Sequence, residues 1–310
     1  MGDASLDIAI LGAGPAGLTA GIYTARARVS CVVLEKGLPG GSPMLTDLIE
    51  NYPGFPEGIT GAELSANIQT QAEAFGLEIK TLAAVESVRA SEGAFVVETG
   101  DESLVAKSVI VATGAHPRRL GISGEADFTG RGVSYCATCD GALFKNKEVA
   151  VVGGGDAAIE EALFLTRFAR KVTVIHRRDQ LRAAKILQER AFADERIEFE
   201  WCCNAVGIKG EEVVRAIEVK NVDTGEVRDL PVDGVFIYVG TLPNTECVVD
   251  LIDLDERGFV PTDDRLTTSV TGVFACGDVR ATHLRQVATA VGDGALAAVS
   301  AQKYLNELAG

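Results

Sequence analysis

The sequence predicts an α/β fold with two nucleotide-binding units of Rossmann type, the second a repeat of the first. Three observations carry this. An apolar run, a glycine-rich turn and a helical stretch occur near Ile8 and again near Val149. Each copy closes on a similar apolar strand, Val109 to Gly114 and Val235 to Gly240. The C-terminal segment then returns to the first unit, with an expected strand from Leu266 that ends in Gly277-Asp278. A repeat on this scale governs the whole architecture. With 310 residues, about two domains are expected, each with its own core.

The first copy runs in the order strand, turn, helix, strand, acid. Ile8 to Leu11 is apolar, and Gly12-Ala13-Gly14-Pro15-Ala16-Gly17 follows. A helical stretch covers Pro15 to Ala27, and Cys31-Val32-Val33-Leu34 leads to Glu35. This is the dinucleotide fingerprint in its required context. Gly12 permits the tight turn, Gly14 lets the backbone approach a pyrophosphate, and Gly17 lets the helix pack close to the strand. The helix N-terminus favours phosphate charge. Glu35 stands where a carboxylate accepts hydrogen bonds from a ribose diol. Beyond it lies a Pro- and Gly-rich loop, Leu38-Pro39-Gly40-Gly41-Ser42-Pro43, then Glu50-Asn51-Tyr52-Pro53-Gly54. Long ordered loops of this kind are usually functional. Ala62 to Phe75 reads as a helix, and Glu78 to Ala112 as short strands broken at Glu92-Gly93 and Gly100-Asp101.

Between the two copies stands Cys136-Ala137-Thr138-Cys139-Asp140. Two thiols at this spacing can close a disulfide, and such a pair commonly depresses the pKa of one thiol. Asp140 can carry protons to and from the departing sulfur. Spacing alone leaves two plainer readings open. One is half a zinc site, for which no second Cys-x-x-Cys or His pair exists to complete four ligands. The other is a buried structural pair. The position between two nucleotide-binding units favours redox chemistry.

In the second copy, Glu148 to Val152 leads to Gly153-Gly154-Gly155-Asp156-Ala157-Ala158. A helix is expected from about Ala157 to Phe168, then the strand Val172-Thr173-Val174-Ile175. Where the first copy ends in Glu35, the second ends in His176-Arg177-Arg178, with Arg182 expected one helical turn on. A carboxylate there repels a 2′-phosphate, whereas guanidinium forks bind one bidentately. The first copy therefore fits an adenine dinucleotide without that phosphate, and the second fits NADPH. An exposed basic turn is the plainer reading of the arginines.

A final helix is expected from Leu284 or Arg285 to Tyr304. Cys31, Cys202, Cys203, Cys247 and Cys276 read as small buried hydrophobes. His116, His176 and His283 are too scattered for a metal set. Seven cysteines, odd in number and mostly scattered, do not look like a secreted disulfide framework. No apolar run approaches the ~20 residues that span a bilayer, and no basic leader precedes the first strand, so a cytoplasmic protein is expected. The formal net charge of −15 argues against nucleic acid or anionic membrane as partner.

The order of these motifs resembles that of the bacterial-type, low-molecular-weight thioredoxin reductases, flavoproteins with two dinucleotide-binding domains. It is carried by Gly12 to Gly17, Glu50-Asn51 before Pro53-Gly54, Ala112-Thr113-Gly114, Cys136 to Asp140, Gly153-Gly154-Gly155, His176-Arg177-Arg178, and Gly277-Asp278 with Arg285-Gln286. Three sites depart from the usual pattern: Ser42-Pro43 replaces a Gln, Tyr52 a common Trp, and Ala157 a residue that often carries a hydroxyl, at the cost of one phosphate hydrogen bond. The resemblance implies two three-layer β/β/α domains, the NADPH domain (residues 118–245) inserted into an FAD domain (residues 1–117 and 246–310). It implies FAD on Gly12, Gly14, Pro15, Ala16, Gly17, Glu35, Lys36, Gly40, Gly41, Ser42, Asn51, Val85, Thr113, Gly114, Gly277, Asp278, Arg285, Gln286 and Val287. NADPH would sit on Gly153, Gly155, Asp156, Ala157, His176, Arg177, Arg178 and Arg182. In the same analogy Cys139 lies next to the flavin, Cys136 attacks a thioredoxin disulfide, and Asp140 is the acid/base. A homodimer is implied. So is rotation of the inserted domain about the connections near residues 117–121 and 243–246, since nicotinamide and Cys pair must reach one flavin. Two other functions remain open: a related flavoprotein reductase serving ferredoxin or a peroxide-reducing system, and a non-enzymatic flavin redox sensor.

Overall fold

The computed structural model describes residues 6–46 and 48–310. The chain folds as two compact units, Met1–His116 with Leu242–Gly310, and Pro117–Thr241.

In the first unit, β1 (Leu6–Leu11) is followed by α1 (Pro15–Arg26) and β2 (Cys31–Leu34). Pro15 opens α1 with a preset φ and no amide to leave unpaired. Leu18, Ile22 and Ala25 form its buried stripe. α2 (Gly61–Ala74) starts where Thr60 Oγ1 accepts from Glu63 N at 3.1 Å. β3 (Glu78–Lys80), β4 (Val85–Ser91), β5 (Ala94–Thr99) and β6 (Ser103–Val111) complete this half. The sheet order is β3-β2-β1-β6-β5-β4, parallel from β3 to β6 and antiparallel beyond. β1 is central and buried on both faces, so it reads as a continuous apolar run. Ile8 and Ile10 pack under the helices, while Ala9 and Leu11 face a separate cluster with Val97 and Val260.

After β7 (Ala115–Pro117) the chain enters the second unit. Here α3 (Glu125–Phe128), β8 (Val133–Ser134) and α4 (Ala137–Asp140) precede β9 (Glu148–Gly153), α5 (Asp156–Leu165) and β10 (Lys171–Ile175). α6 (Lys185–Ala193), β11 (Ile197–Glu200), an antiparallel meander β12 (Cys203–Gly210), β13 (Val214–Asn221) and β14 (Val227–Pro231), and then β15 (Gly234–Tyr238) follow. The parallel order is β11-β10-β9-β15-β8. α5 stops at Leu165, short of the expected Phe168, because Arg167 N and Phe168 N bond three residues back and tighten the end into a turn.

β16 (Thr241–Pro243) leads back to the first unit, where β17 (Val273–Ala275) pairs with β6 and α7 (Val287–Ala309) ends the fold. The expected strand from Leu266 is only these three residues. Thr268 Oγ1 accepts from Val270 N and donates to Val273 O, which folds the approach into a turn. α7 starts two or three residues later than expected, because Gln286 forms a reciprocal cap with Thr289.

The repeat is thus visible strand by strand: β3-β2-β1-β6-β17 in one unit, β11-β10-β9-β15-β8 in the other. The fifth strand comes from after the central set in the first unit and from before it in the second. Gly277-Asp278 follows β17 and the Cys pair follows β8. Both sit at the carboxyl end of the same strand position, where open α/β sheets bind ligands.

Candidate active site

At the end of β1 the chain turns through Gly12 with φ +103°, and a Cβ there would lie 2.5 Å from Ala112 O. A Cβ on Gly17 would lie 1.9 Å from Gly12 O, so only hydrogen lets α1 sit against the turn. Above Gly14 the space is open; a Cβ would meet only Gly41 Cα, at 3.8 Å. α1 carries no side-chain cap, so after Pro15 its first amides, from Ala16 on, have no side-chain acceptor. Glu35 turns back onto this cradle: Oε2 accepts from Ala13 N at 2.8 Å and Oε1 from Gly37 N at 2.9 Å. Each oxygen keeps a lone pair for a ligand. Lys36 is exposed beside it. Gly40 N donates to Ala13 O at 2.8 Å and lays the loop across the turn, where Gly41 meets Gly14 and Ser42 opens a short 3₁₀ turn.

The other residues expected to hold FAD lie on neighbouring elements. Asn244 brackets Thr113-Gly114: its Nδ2 donates to Thr113 O at 2.8 Å, its N to Gly114 O at 3.0 Å, and Thr113 Oγ1 donates to its O at 2.5 Å. Gly277 N donates to Asp293 Oδ2 at 3.1 Å, and Arg280 pairs with the same carboxylate at 2.6 Å. Burial pushes the Asp278 carboxyl up, and Arg285 only partly offsets it. Arg285 donates to Asp278 O at 3.2 Å and lies 4.0 Å over the Phe259 ring. Gln286 caps α7, with Val287 its first residue, and Gln286 Oε1 accepts from Asn51 Nδ2 at 3.1 Å. Val85 opens β4, half-buried.

In the second unit, Gly153 ends β9 and a Cβ on Gly155 would meet nothing within 4 Å. α5 likewise has no side-chain cap, and Ala157 is exposed in its first turn. Asp156 points to the loop after β10, its Oδ1 accepting from Ala184 N at 2.7 Å, while Arg182 N donates to Gly154 O at 2.7 Å. Those two bonds hold the segment carrying Arg177, Arg178 and Arg182 against the glycine turn. That segment bends through Arg177 to Gln180 rather than forming the expected helical turn, and α6 begins only at Lys185. Among the described residues none of the three guanidiniums has an ion-pair or hydrogen-bond partner, although the chain is strongly acidic. His176 is only 5% exposed, packs on Gly154, and keeps a buried Nε2 with no partner. Burial, then the charge of Arg182, holds it below the ordinary histidine value.

Cys136 and Cys139 form a disulfide, with Cα atoms 5.3 Å apart. Cys139 is exposed and Cys136 half-buried. Cys136 Sγ accepts from Cys139 N at 3.2 Å and touches Thr138 Oγ1 at 3.4 Å. Ser134 Oγ donates to Asp140 Oδ2 at 2.7 Å, and Tyr238 Oη accepts from Ala137 N at 2.9 Å. One residue before the pair, Tyr135 donates to the buried Glu125 at 2.7 Å. Of the remaining thiols, Cys203, Cys247 and Cys276 are buried, whereas Cys31 and Cys202 are only half-buried, short of the expectation. Cys202 sits in a left-handed turn, at φ +52°, that lifts it out of the strand.

Sequence reasoning missed Ser134, Tyr238, Asn244 and Asp293. A polar tip inside the apolar run Val235 to Val239 was the available signal for Tyr238; the others gave none.

A family model described as pyridine nucleotide-disulphide oxidoreductase matches residues 6–294. A thioredoxin reductase from Listeria innocua is 48% identical over 303 residues, covering 97% of this chain and 94% of that one. The chain belongs to the thioredoxin reductases of this family. A solved thioredoxin reductase from Lactococcus lactis is 48% identical with a TM-score of 0.96, covering 98% of this chain and 100% of that chain. That of T. acidophilum is 37% identical with a TM-score of 0.92, covering 98% and 99%. As a family member the protein is an oxidoreductase acting on disulfides, and Cys136–Cys139 is the redox-active pair. No helix among the described residues is long and apolar enough to cross a membrane.

Proposed function

We propose that the protein is an NADPH-dependent thioredoxin-disulfide reductase that uses FAD, with electrons leaving through Cys136–Cys139. The observation that carries this is a disulfide following β8, in the unit whose glycine turn is tied by hydrogen bonds to the segment carrying Arg177, Arg178 and Arg182. FAD is assigned to the first unit. The open space over Gly14, the uncapped start of α1 and the spare lone pairs of Glu35 fit a diphosphate and a ribose diol. NADPH is assigned to the second unit, where Arg177, Arg178 and Arg182 suit a 2′-phosphate and the open face of Gly155 a pyrophosphate. The unpartnered Nε2 of His176 supports a ligand beside it. When bound, the flavin supplies a two-electron carrier between nicotinamide and disulfide.

The residues of the chain do the rest. Reduction opens the Cys136–Cys139 bond, and the hydrogen bond from Cys139 N stabilises charge on Cys136 Sγ. Asp140 holds the proton that moves to and from a leaving sulfur. The Cys136 thiolate attacks a sulfur of the thioredoxin disulfide to give a mixed disulfide, which Cys139 then resolves, restoring the original bond and releasing two thiols. A homodimer in the cytoplasm is the setting we propose, by family likeness. Incubation with NADPH and oxidised thioredoxin tests the reading: thioredoxin thiols should rise with NADPH consumed, and their failure to rise while NADPH is oxidised would refute it.

A further inference from the structure

We propose that Ser134 is a positioning residue for proton transfer at the redox disulfide, able to hold Asp140 in either protonation state. The proposal rests on the reading of Cys136–Cys139 as the pair that is reduced. Ser134 closes β8 at 5% exposure, so its hydroxyl is taken out of water and must find its partners within the fold. Its Oγ accepts from Cys136 N at 3.0 Å and faces two acceptors, Asp140 Oδ2 at 2.7 Å and Cys136 O at 3.2 Å. A hydroxyl has one proton and two lone pairs, so it serves only one of those acceptors at a time.

With Asp140 ionised, the Ser134 proton points to Oδ2. With Asp140 protonated on that oxygen, the carboxyl donates to Ser134 Oγ, and the Ser134 proton turns to Cys136 O. Both arrangements keep the Cys136 amide paired and leave no polar group orphaned, which an acid that cycles between states needs. The neighbouring groups do not compete. Burial, then the charge of Glu161, pushes the Tyr238 hydroxyl far up, so it stays protonated while accepting from Ala137 N. When a dithiol reduces the site, its thiolate attacks one sulfur and the other leaves as a thiolate. That sulfur takes the proton of Asp140, and the Ser134 proton returns to Oδ2. The second thiol of the donor closes a disulfide with the first, so two electrons and two protons pass to Cys136 and Cys139.

The test is the rate at which dithiothreitol reduces Cys136–Cys139, followed by acid quench, alkylation and mass analysis. It needs neither nicotinamide nor thioredoxin, so it stays informative if the proposed electron donor or protein partner is wrong. Ser134→Ala is expected to slow reduction about ten-fold, less than the roughly 10²–10⁴-fold of proton transfer itself, because Asp140 remains and only its positioning is lost. Ser134→Thr, which keeps the hydroxyl, should restore the rate. In an Asp140→Asn background, Ser134→Ala should add little, whereas a mere packing defect would slow both backgrounds equally. A normal rate in Ser134→Ala, no rescue by Thr, or an undiminished effect in the Asp140→Asn background would each overturn the proposal.

Discussion

Single side chains decide the chemistry here, and several have partners that sequence alone did not reveal. Glu35 stood out in sequence by its place after β2, but its bonds to Ala13 N and Gly37 N depend on how the loop folds back. Asp156 was legible as part of a glycine turn, whereas its actual partner, Ala184 N, lies 28 residues on and leaves no trace in local pattern. The arginines drew notice because they stand at the end of a second strand, where the first copy has a carboxylate. If Arg177 and Arg178 hold a 2′-phosphate, changing both to Ala would remove two charge-assisted contacts worth about 1.5–3 kcal/mol each, so preference for NADPH over NADH should fall ten-fold or more. Steady-state KM values for both cofactors check this, and equal changes would remove the 2′-phosphate from the account. The two sulfurs separate as well. Cys139→Ser leaves Cys136 without its resolving thiol, so oxidised thioredoxin should trap it as a mixed disulfide visible on a non-reducing gel.

At the scale of elements, the glycine turns and their helices were readable because they repeat, while the turns that end elements were not. The approach to β17 and the start of α7 are set by Thr268 and Gln286, ordinary polar residues whose capping roles emerge only in three dimensions. The segment from α3 to α4 offers a sharper case. Glu125 is 2% exposed, yet it accepts from Leu120 N at 2.9 Å, Gly121 N at 2.6 Å and Tyr135 Oη at 2.7 Å. Burial alone raises its pKa, but the Tyr135 hydroxyl and these amides outweigh it and hold the carboxyl below the ordinary value of 4.5. The unfolded chain therefore takes up this proton first as pH falls. The stability it contributes is present above pH 4.5 and is lost as pH drops through the lower folded value. Glu125→Gln sets an amide donor against donors and should cost about 1–3 kcal/mol at pH 7. Denaturant unfolding from pH 3 to 7 should also find a shallower acid limb in that variant. In α5, Ile159 is fully buried, and Ile159→Ala should cost about 2–5 kcal/mol in the same assay.

Across the whole molecule, the duplicated plan was the most legible feature, since two glycine turns and two closing strands stand in the same order. What the sequence could not display is that the strand position ending in Gly277-Asp278 in one unit ends in the Cys pair in the other. That placement follows from the insertion, which forces β8 to come from before its central strands. It puts a dithiol where such sheets hold ligands, within a unit of its own glycine turn. If the first unit holds a dinucleotide flavin, heat-released cofactor should have the mass of FAD, and FMN alone would overturn the proposal that Glu35 binds a ribose diol. The central claim is that electrons from NADPH reach a protein disulfide only through Cys136 and Cys139. The most direct measurement compares the native protein with Cys136→Ser, following flavin absorbance and thioredoxin thiols together after NADPH is added. The account predicts bleaching of the flavin in both proteins and thioredoxin thiols only in the first, two for each NADPH consumed. Thioredoxin thiols appearing at the native rate in Cys136→Ser would contradict it.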